Sequence, residues 1–319
     1  MRLFRYIKNR LYHDNDTKRL LEEGLRKMDG LYYSMMNVVY QQRIDFLRGK
    51  TLSSIENGIS EEKYCDYEII VSLTSFGRRI YDVHLAIESI MQGTMKPNRI
   101  LLWLSENEFG NRTLPITLQK QQERGLDIRF CEDMRAYTKL VPTLRAFPDS
   151  CIITIDDDAM YEYDIVERLV NTHLEHPEAV CACRIHKVRL DETGKPKSYL
   201  DWEMETEQCE CNTSLLFPTG VGGVLYPPKC FPKEVFDQDV FMSICPYADD
   251  VWYYAMELLN GTPVVKTYTG KPCYYMNLPS STLDALSTQN VNVTNCRNDA
   301  QIKAVFERYN LFGKLTSLV

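Results

Sequence analysis

The sequence lacks several features that would place a protein of 319 residues in a common class. It contains no apolar run long enough to cross a membrane, and its first residues do not resemble a secretory signal, so we expect a cytoplasmic protein. Neither a Gly-x-Gly-x-x-Gly motif nor a Walker-type phosphate loop follows its first apolar strand. A dinucleotide-dependent enzyme and a P-loop phosphotransferase are therefore disfavoured.

The chain also lacks an excess of basic residues and a disulfide framework. It has 37 Lys and Arg against 44 Asp and Glu, so nucleic acid is not an expected partner. The 11 cysteines are odd in number and scattered, which indicates reduced thiols. The pairs Cys181/Cys183 and Cys209/Cys211 have one intervening residue, whereas structural zinc sites usually have about two to four. We do not expect zinc at these pairs.

What the sequence contains is a regular alternation of strands and helices after residue 67. Apolar segments predict strands over 69–74, 99–104, 126–131 and 152–155, and helical periodicity predicts helices over 82–92, 114–124 and 140–146. A further strand is predicted over 179–186. Such an alternation predicts an α/β domain with a parallel sheet and right-handed crossovers. We expect a helical segment and linker over 1–66, the α/β domain over 67–270 and a C-terminal loop and helix over 271–319.

The N-terminal segment contains two helical patterns. Residues 1–13 are basic, and their apolar residues fall on one helical face. This pattern suits peripheral contact with the inner face of the cell membrane or docking on the chain's own domain. A second helix is predicted over 17–47, and over 20–47 its apolar residues recur at alternating spacings of three and four, which predicts a heptad seam. The seam can form a homodimer or pack within the chain, and both alternatives stay open.

Three consecutive carboxylates, Asp156, Asp157 and Asp158, follow the apolar strand predicted over 152–155. Because ligands of open α/β sheets bind at the carboxyl ends of the strands, these acids face a possible site. A hard divalent cation would relieve their mutual repulsion. The alternative is a solvated acidic turn that caps a helix starting near Tyr161.

A second acidic pair, Asp249 and Asp250, precedes a helix predicted over 251–259. Asp249 suits the N-cap position, which would leave Asp250 free in the first turn. The glycine-rich run over 220–223 precedes a short apolar strand and favours a pocket wall that backbone can approach closely. The pair and the run are therefore candidates for an active site.

Five sequence blocks resemble those of a bacterial family 2-type glycosyltransferase, over about 68–270. They are Leu-Thr-Ser-Phe-Gly-Arg-Arg-Ile at 73–80, Tyr-Thr-Lys-Leu-Val-Pro at 137–142, the triplet at 156–158, Gly-Val-Gly-Gly-Val-Leu-Tyr-Pro-Pro at 220–228 and Ala-Asp-Asp-Val-Trp at 248–252. The resemblance implies a GT-A fold, with a Rossmann-like nucleotide-binding sheet fused to an acceptor-binding half. It also implies metal-dependent, inverting transfer of a sugar from a nucleotide-diphosphate donor, for which we favour UDP, to a saccharide or lipid-linked glycan during surface polysaccharide (capsule) synthesis.

The resemblance also implies roles for individual residues. Asp158 would bind Mn²⁺ or Mg²⁺ directly, and Asp156 would hold the donor ribose or a metal-bound water. Asp250 would be the catalytic base, with Asp249 beside it. The other residues on the donor side are Thr74, Ser75, Arg79, Lys139 and Asp157. Those of the acceptor or sugar pocket are Gly222, Gly223, Arg184, His186 and Trp252.

Two departures from the family pattern and two rival functions remain. Ser-Glu-Asn at 105–107 replaces an Asp-Asp-Gly-type motif, and no histidine after His186 can supply a third metal ligand.

A sugar nucleotidyltransferase or phosphohydrolase could use the same triplet without an acceptor. A non-catalytic glycan-binding assembly subunit could keep the fold, although it would not need both acidic motifs.

Overall fold

The computed structural model describes residues 15–207, 214–268, 275–282, 290 and 296–315. The chain divides into two compact units, Met1–Gly49 and Lys50–Val319. The basic segment 1–13, the pair Cys209/Cys211 and most of the polar segment 280–294 lie outside the described residues.

The helix α1 runs from Asn15 to Ser53 and is longer than the helix predicted over 17–47. Neither Gly24 nor Gly30 interrupts it. The apolar side chains of its heptad seam are between 44% and 69% exposed: Leu21, Leu25, Met28, Tyr32, Met35, Val39 and Phe46. Within the residues that the structure describes, neither this helix nor any other combines the length and apolar character of a membrane span.

Short strands and helices make up the second unit. The strands are β1 (Ile69–Thr74), β2 (Arg99–Ser105), β3 (Leu126–Cys131), β4 (Cys151–Thr154), β5 (Ala159–Tyr161), β6 (Val180–Ala182), β7 (Ile185–Lys187), β8 (Leu216–Pro218), β9 (Val224–Tyr226), β10 (Val264–Lys266) and β11 (Tyr275–Asn277). The helices are α2 (Val83–Met91), α3 (Glu106–Phe109), α4 (Ile116–Gln122), α5 (Val141–Ala146), α6 (Ile165–Glu175), α7 (Gln238–Ile244), α8 (Asp249–Asn260) and α9 (Arg297–Tyr309).

The central sheet has seven strands in the order β10-β6-β9-β4-β1-β2-β3. The four strands β3, β2, β1 and β4 are parallel and form a Rossmann-like half, as the alternation predicts. The strand β9 runs antiparallel between β4 and β6, beyond the parallel strands that the alternation predicts. A mixed sheet flanked by helices is nevertheless the α/β class expected from the sequence.

Apolar side chains cover both faces of this sheet. In β1, Ile69, Val71 and Leu73 join one buried cluster, whereas Ile70 joins another. This alternation follows from the period of two along a strand. The helices α2 and α6 contribute to the first of these clusters, and α8 and α9 contribute to a third that also covers the sheet. The strand ends near the acidic motifs are therefore fixed by burial on both sides.

Two local expectations fail. Residues 159–161 form the strand β5, which pairs with β11, and the following helix starts at Ile165 rather than near Tyr161. The strand predicted over 179–186 is broken into β6 and β7, which belong to different sheets. The break falls where Cys183 donates its backbone N–H to the carbonyl of Gly223 at 3.2 Å, next to the glycine-rich run. Tertiary pairing overrides local periodicity at both places.

Candidate active site

The acidic triplet lies at the carboxyl edge of the sheet, beside the end of β1. Ser72 of β1 pairs in register with Thr154 of β4, so the residues that follow the two strands leave the sheet side by side. The hydroxyl of Thr74 donates to the carbonyl of Trp103 in β2 at 2.9 Å and ties neighbouring strand ends together. Thr74 therefore has a structural partner at the position where the resemblance places the donor.

Asp157 is the buried member of the triplet. Its carboxylate accepts hydrogen bonds from the Ser75 hydroxyl at 2.6 Å and from Nη1 of Arg79 at 2.9 Å. Burial raises the pKa of Asp157 to about 6, although Arg79 and Ser75 oppose that rise. Ser75 and Arg79 therefore both bond to Asp157 and hold the acidic turn in place.

Asp156 and Asp158 are the accessible members of the triplet. Their side chains are 27% and 16% exposed. Nη1 of Arg79 lies 2.9 Å from Oδ2 of Asp158, and the backbone N–H of Asp156 donates to the Tyr161 hydroxyl at 2.8 Å. Burial and the charge of Asp156 raise the pKa of Asp158, although Arg79 opposes them. Carboxylates are hard oxygen donors, and two partly exposed ones two residues apart fit the ligand preference of Mg²⁺ or Mn²⁺.

Lys139 joins the triplet to the second acidic pair. This buried lysine places Nζ 2.9 Å from Oδ1 of Asp156 and 3.1 Å from Oδ2 of Asp249. Burial alone would lower the pKa of Lys139, but Asp156, Asp249 and Asp250 together hold it well above its ordinary value. The ammonium therefore stays charged and connects two acidic motifs that lie far apart in the chain.

The backbone of Lys139 is fixed as firmly as its side chain. The residue ends a 3₁₀ turn, Arg135–Lys139, just before α5. Its carbonyl accepts a hydrogen bond from the Ser72 hydroxyl at 2.6 Å, and that hydroxyl also lies 2.7 Å from Oγ1 of Thr143. Buried polar groups in β1 and α5 thus position the lysine beneath the triplet.

The second acidic pair opens α8, but not with the expected cap. Asp249 is the first residue of the helix, and the N-cap position belongs to Ala248, which makes no side-chain capping bond. The expectation that Asp249 caps the helix is therefore wrong. Its carboxylate turns to the ammonium of Lys139 instead, because a buried charge needs a partner of opposite charge.

Asp250 lies against the glycine-rich run. Its Oδ1 accepts a hydrogen bond from the backbone N–H of Gly220 at 3.1 Å. Burial and the adjacent charge of Asp249 raise the pKa of Asp250 to about 7, although Lys139 opposes them. A carboxylate with a pKa in this range can gain or lose a proton near neutral pH, which is the chemistry that general acid–base catalysis requires.

The glycine-rich run packs directly against these charges. A Cβ added at Gly220 would lie 2.8 Å from Nζ of Lys139 and 3.2 Å from Oδ1 of Asp250. One added at Gly222 would lie 2.7 Å from Cβ of Arg184, and Gly223 has a φ of 88°. The run therefore forms a wall of the acidic site, and only glycine fits this close approach.

Arg184 lies against this wall. Its Nη1 donates to the Thr219 hydroxyl and its Nε to Oε1 of Glu205, both at 3.0 Å. The guanidinium is partly exposed beside Gly222, which is consistent with the position expected of a pocket residue.

His186 and Trp252 lie in the core rather than on a pocket surface. Nδ1 of His186 accepts the Glu205 backbone N–H at 2.9 Å, and burial lowers the pKa of His186 to about 3. The Trp252 side chain is fully buried, and its Nε1 donates to the carbonyl of Val235. These placements do not fit the expected contact of the two residues with an acceptor.

Two residues of the site were missed by sequence reasoning. Ser72 and Tyr161 hold the backbone of Lys139 and of Asp156, and nothing in the sequence distinguishes them from ordinary strand residues. Gly220, in contrast, belongs to the glycine-rich run that the sequence marks as a pocket wall.

No family model matches the chain, and no curated protein matches it in sequence. Among solved structures, the chain is similar to S. aureus TarS 1–349 in complex with UDP, at 14% identity and a TM-score of 0.44, over 65% of this chain and 59% of that one. It thus spans about three fifths of that structure's length. It is also similar to CMP:2-keto-3-deoxy-manno-octonic acid synthetase complexed with CTP, at 11% identity and a TM-score of 0.38, over 70% of this chain and 99% of that one. Similarity at this level does not assign an activity.

Proposed function

We propose that the chain is a metal-dependent, inverting glycosyltransferase that takes a sugar from a nucleotide-diphosphate donor, UDP being our preference. The acceptor would be a saccharide or a lipid-linked glycan. The observation that carries the proposal is the cluster around Lys139, where Asp156 of the triplet meets Asp249 of the second pair. Sugar transfer in one displacement needs a site for the leaving diphosphate and a base for the acceptor hydroxyl, and this cluster offers candidates for both.

On the donor side, Asp156 and Asp158 would hold Mn²⁺ or Mg²⁺, since they are the accessible carboxylates of the triplet. The cation would neutralise the charge that develops on the diphosphate as it leaves. Asp157, bonded to Ser75 and Arg79, would keep the two ligands in place rather than bind the metal itself.

On the acceptor side, Asp250 would take the proton of the acceptor hydroxyl. The oxygen of that hydroxyl would form a bond to the anomeric carbon while the bond from this carbon to the diphosphate oxygen breaks. Because the base and the leaving diphosphate lie on opposite sides of the sugar in such a displacement, the configuration of the anomeric carbon inverts. Lys139 would remain protonated and hold the carboxylates of both motifs together.

The resemblance in sequence extends the proposal to surface polysaccharide synthesis, such as that of a capsule, in the cytoplasm at the inner face of the membrane.

The test is a thermal-shift screen of nucleotide sugars with Mn²⁺, Mg²⁺ or EDTA, followed by turnover with a panel of acceptors. We expect one donor class to raise Tm only when metal is present, and nucleoside diphosphate release to require an acceptor. Asp158→Asn should abolish the metal-dependent shift, whereas Asp239→Asn, an exposed carboxylate on α7, should keep it. Pyrophosphate release would indicate a nucleotidyltransferase, acceptor-independent sugar release a phosphohydrolase, and binding without turnover a non-catalytic subunit.

A further inference from the structure

Two thiols and an imidazole meet at the amino end of β4, whereas the acidic triplet follows the carboxyl end of this strand. Cys65 precedes β1, Cys151 is the first residue of β4, and His173 lies on α6. Their ligand atoms all lie within 4.8 Å of one another. Sγ of Cys151 is 3.4 Å from Nε2 of His173. Residues from three separate parts of the chain thus present soft ligands to one point.

The environment of this cluster suits a ligand site with access from the surface. Cys151 and His173 are buried, and Cys65 is partly exposed. The Sγ of Cys65 also lies 3.3 Å from the carbonyl of Tyr67, whose ring lies near that of His173. An ion could therefore enter past Cys65 and reach the two buried ligands.

The orientation of the His173 ring also suits a metal ligand. Its Nδ1 is buried and has no hydrogen-bond partner within the described part of the chain, whereas its Nε2 faces the thiol of Cys151 at 3.4 Å. Nε2 is therefore the nitrogen that would bind an ion beside this thiol.

We propose that Sγ of Cys65, Sγ of Cys151 and Nε2 of His173 bind a zinc ion, with water as its fourth ligand. Two thiolates and one imidazole form a ligand set that zinc prefers, and the three atoms lie close enough together for one ion to reach them all. Binding releases one proton from each thiol. The ion would tie the segment before β1 to the sheet and to α6, at the opposite end of β4 from the acidic triplet.

This site uses neither of the Cys-x-Cys pairs considered in the sequence. Its three ligands lie far apart in the chain and have no motif spacing, so only the fold brings them together. Cys181 and Cys183 do not belong to the cluster.

The test measures zinc bound to the full, reduced chain by elemental analysis after zinc loading and gel filtration. We expect about one zinc per chain in the wild-type protein, and near none in Cys65→Ser and His173→Gln, because each variant removes one of three protein ligands. Cys131→Ser, which removes a partly exposed thiol on β3 outside the cluster, should keep the zinc. Asp158→Asn should keep it as well, which separates this site from the proposed catalytic metal.

Cobalt provides a second measurement on any folded variant. Cobalt bound at the site should give thiolate-to-metal charge-transfer absorption in wild type and in Cys131→Ser, and this absorption should be lost in Cys65→Ser. Wild-type protein without bound zinc, or Cys65→Ser with a full complement of zinc, would overturn the proposal. So would a Cys65–Cys151 disulfide found by mass spectrometry in zinc-loaded protein, since that result would indicate a redox pair.

Discussion

Nζ of Lys139 lies 2.9 Å from Oδ1 of Asp156, and this contact fixes the charge balance of the acidic site. The same ammonium also faces the second acidic pair, so one cation offsets carboxylates from two distant motifs. Predictions about the base, its titration and the glycine beside it all follow from this arrangement.

Replacing Asp250 by Asn should abolish proton abstraction but leave donor binding intact. The amide keeps the size of the carboxylate and can still accept the Gly220 N–H, so the fold should be unchanged. Loss of a positioned general base should lower kcat by about 10²–10⁴-fold. Turnover with a defined acceptor and donor affinity by calorimetry are the measurements, with Asp239→Asn as the control. If Asp250→Asn turned over normally and Asp249→Asn were folded but inactive, Asp249 rather than Asp250 would be the base.

The titration of Asp250 should appear in the pH profile of kcat/KM. Because the pKa of Asp250 is raised to about 7 and the base acts when ionised, activity should rise with pH and level off above about 7. Asp249 is one cause of that raised pKa, so Asp249→Asn should move the acidic limb to lower pH. If the acidic limb of the kcat/KM profile kept its position in Asp249→Asn, the assignment of that limb to Asp250 would be wrong.

Gly220→Ala should disturb the site without disturbing the backbone. The new Cβ would lie 2.8 Å from Nζ of Lys139, so the ammonium must move away from Asp156 and Asp249. Misplacement on this scale should cost about 10²-fold in kcat/KM. Gly24→Ala is the matched control, because its Cβ would meet nothing within 4 Å. Equal loss of activity in both variants would refute the steric explanation.

The buried ion pair between Glu88 and Arg124 should dominate the stability of its region. The Glu88 carboxylate accepts from Nη1 of Arg124 at 2.8 Å and from Nε2 of Gln121 at 3.1 Å. Glu88→Ala would leave a buried guanidinium without its charge partner and should lower the free energy of unfolding by about 3–5 kcal/mol.

Denaturant unfolding followed by circular dichroism measures this loss. The surface pair of Lys120 and Glu123 provides the control, since Glu123→Ala should cost at most about 1 kcal/mol. Similar losses in the two variants would show that the buried pair has no special role.

The exposed heptad seam of α1 should pair with a second copy of the chain. Apolar side chains that recur every 3.5 residues form the interface of a coiled coil, and those of this seam are exposed within one chain. Met28→Asp should therefore convert a dimer to a monomer, whereas Tyr33→Asp, equally exposed but off the seam, should not. Light scattering after gel filtration measures the mass, and a wild-type monomer at every concentration would exclude this pairing.

The acidic residues could be found from the sequence because their signal is local. Asp156–Asp158 follow an apolar run that can only be a buried strand, and Asp249 and Asp250 precede a periodic apolar helix. Their meeting through Lys139 was not predictable, since it depends on where α5 and α8 pack. Tertiary structure likewise brings Lys139 to Asp249. Because the carboxylate of Asp249 pairs with this lysine, the residue does not cap the helix as expected.

Nearness in sequence to other site residues did not predict the burial of Trp252 and His186 in the core. Trp252 follows Asp250 by two residues, a spacing that turns a helical side chain to a different face, here the core. The strand β5 was missed for a related reason: it has three residues, and its partner β11 comes from a distant part of the chain. Short elements of this kind are defined by their partner more than by their own residues.

The antiparallel direction of β9 links the two acidic motifs through the sheet. Because β9 runs against β4, with Val224 opposite Thr154, the glycine-rich run enters the sheet at the same edge where the triplet leaves it. The backbone that holds Asp250 through Gly220 and the strand that leads to Asp156 are thus neighbours in one hydrogen-bonded ladder. A hinge between the triplet and the second acidic pair would have to break this ladder. The spacing between Asp156 and Asp250 is therefore set when the chain folds.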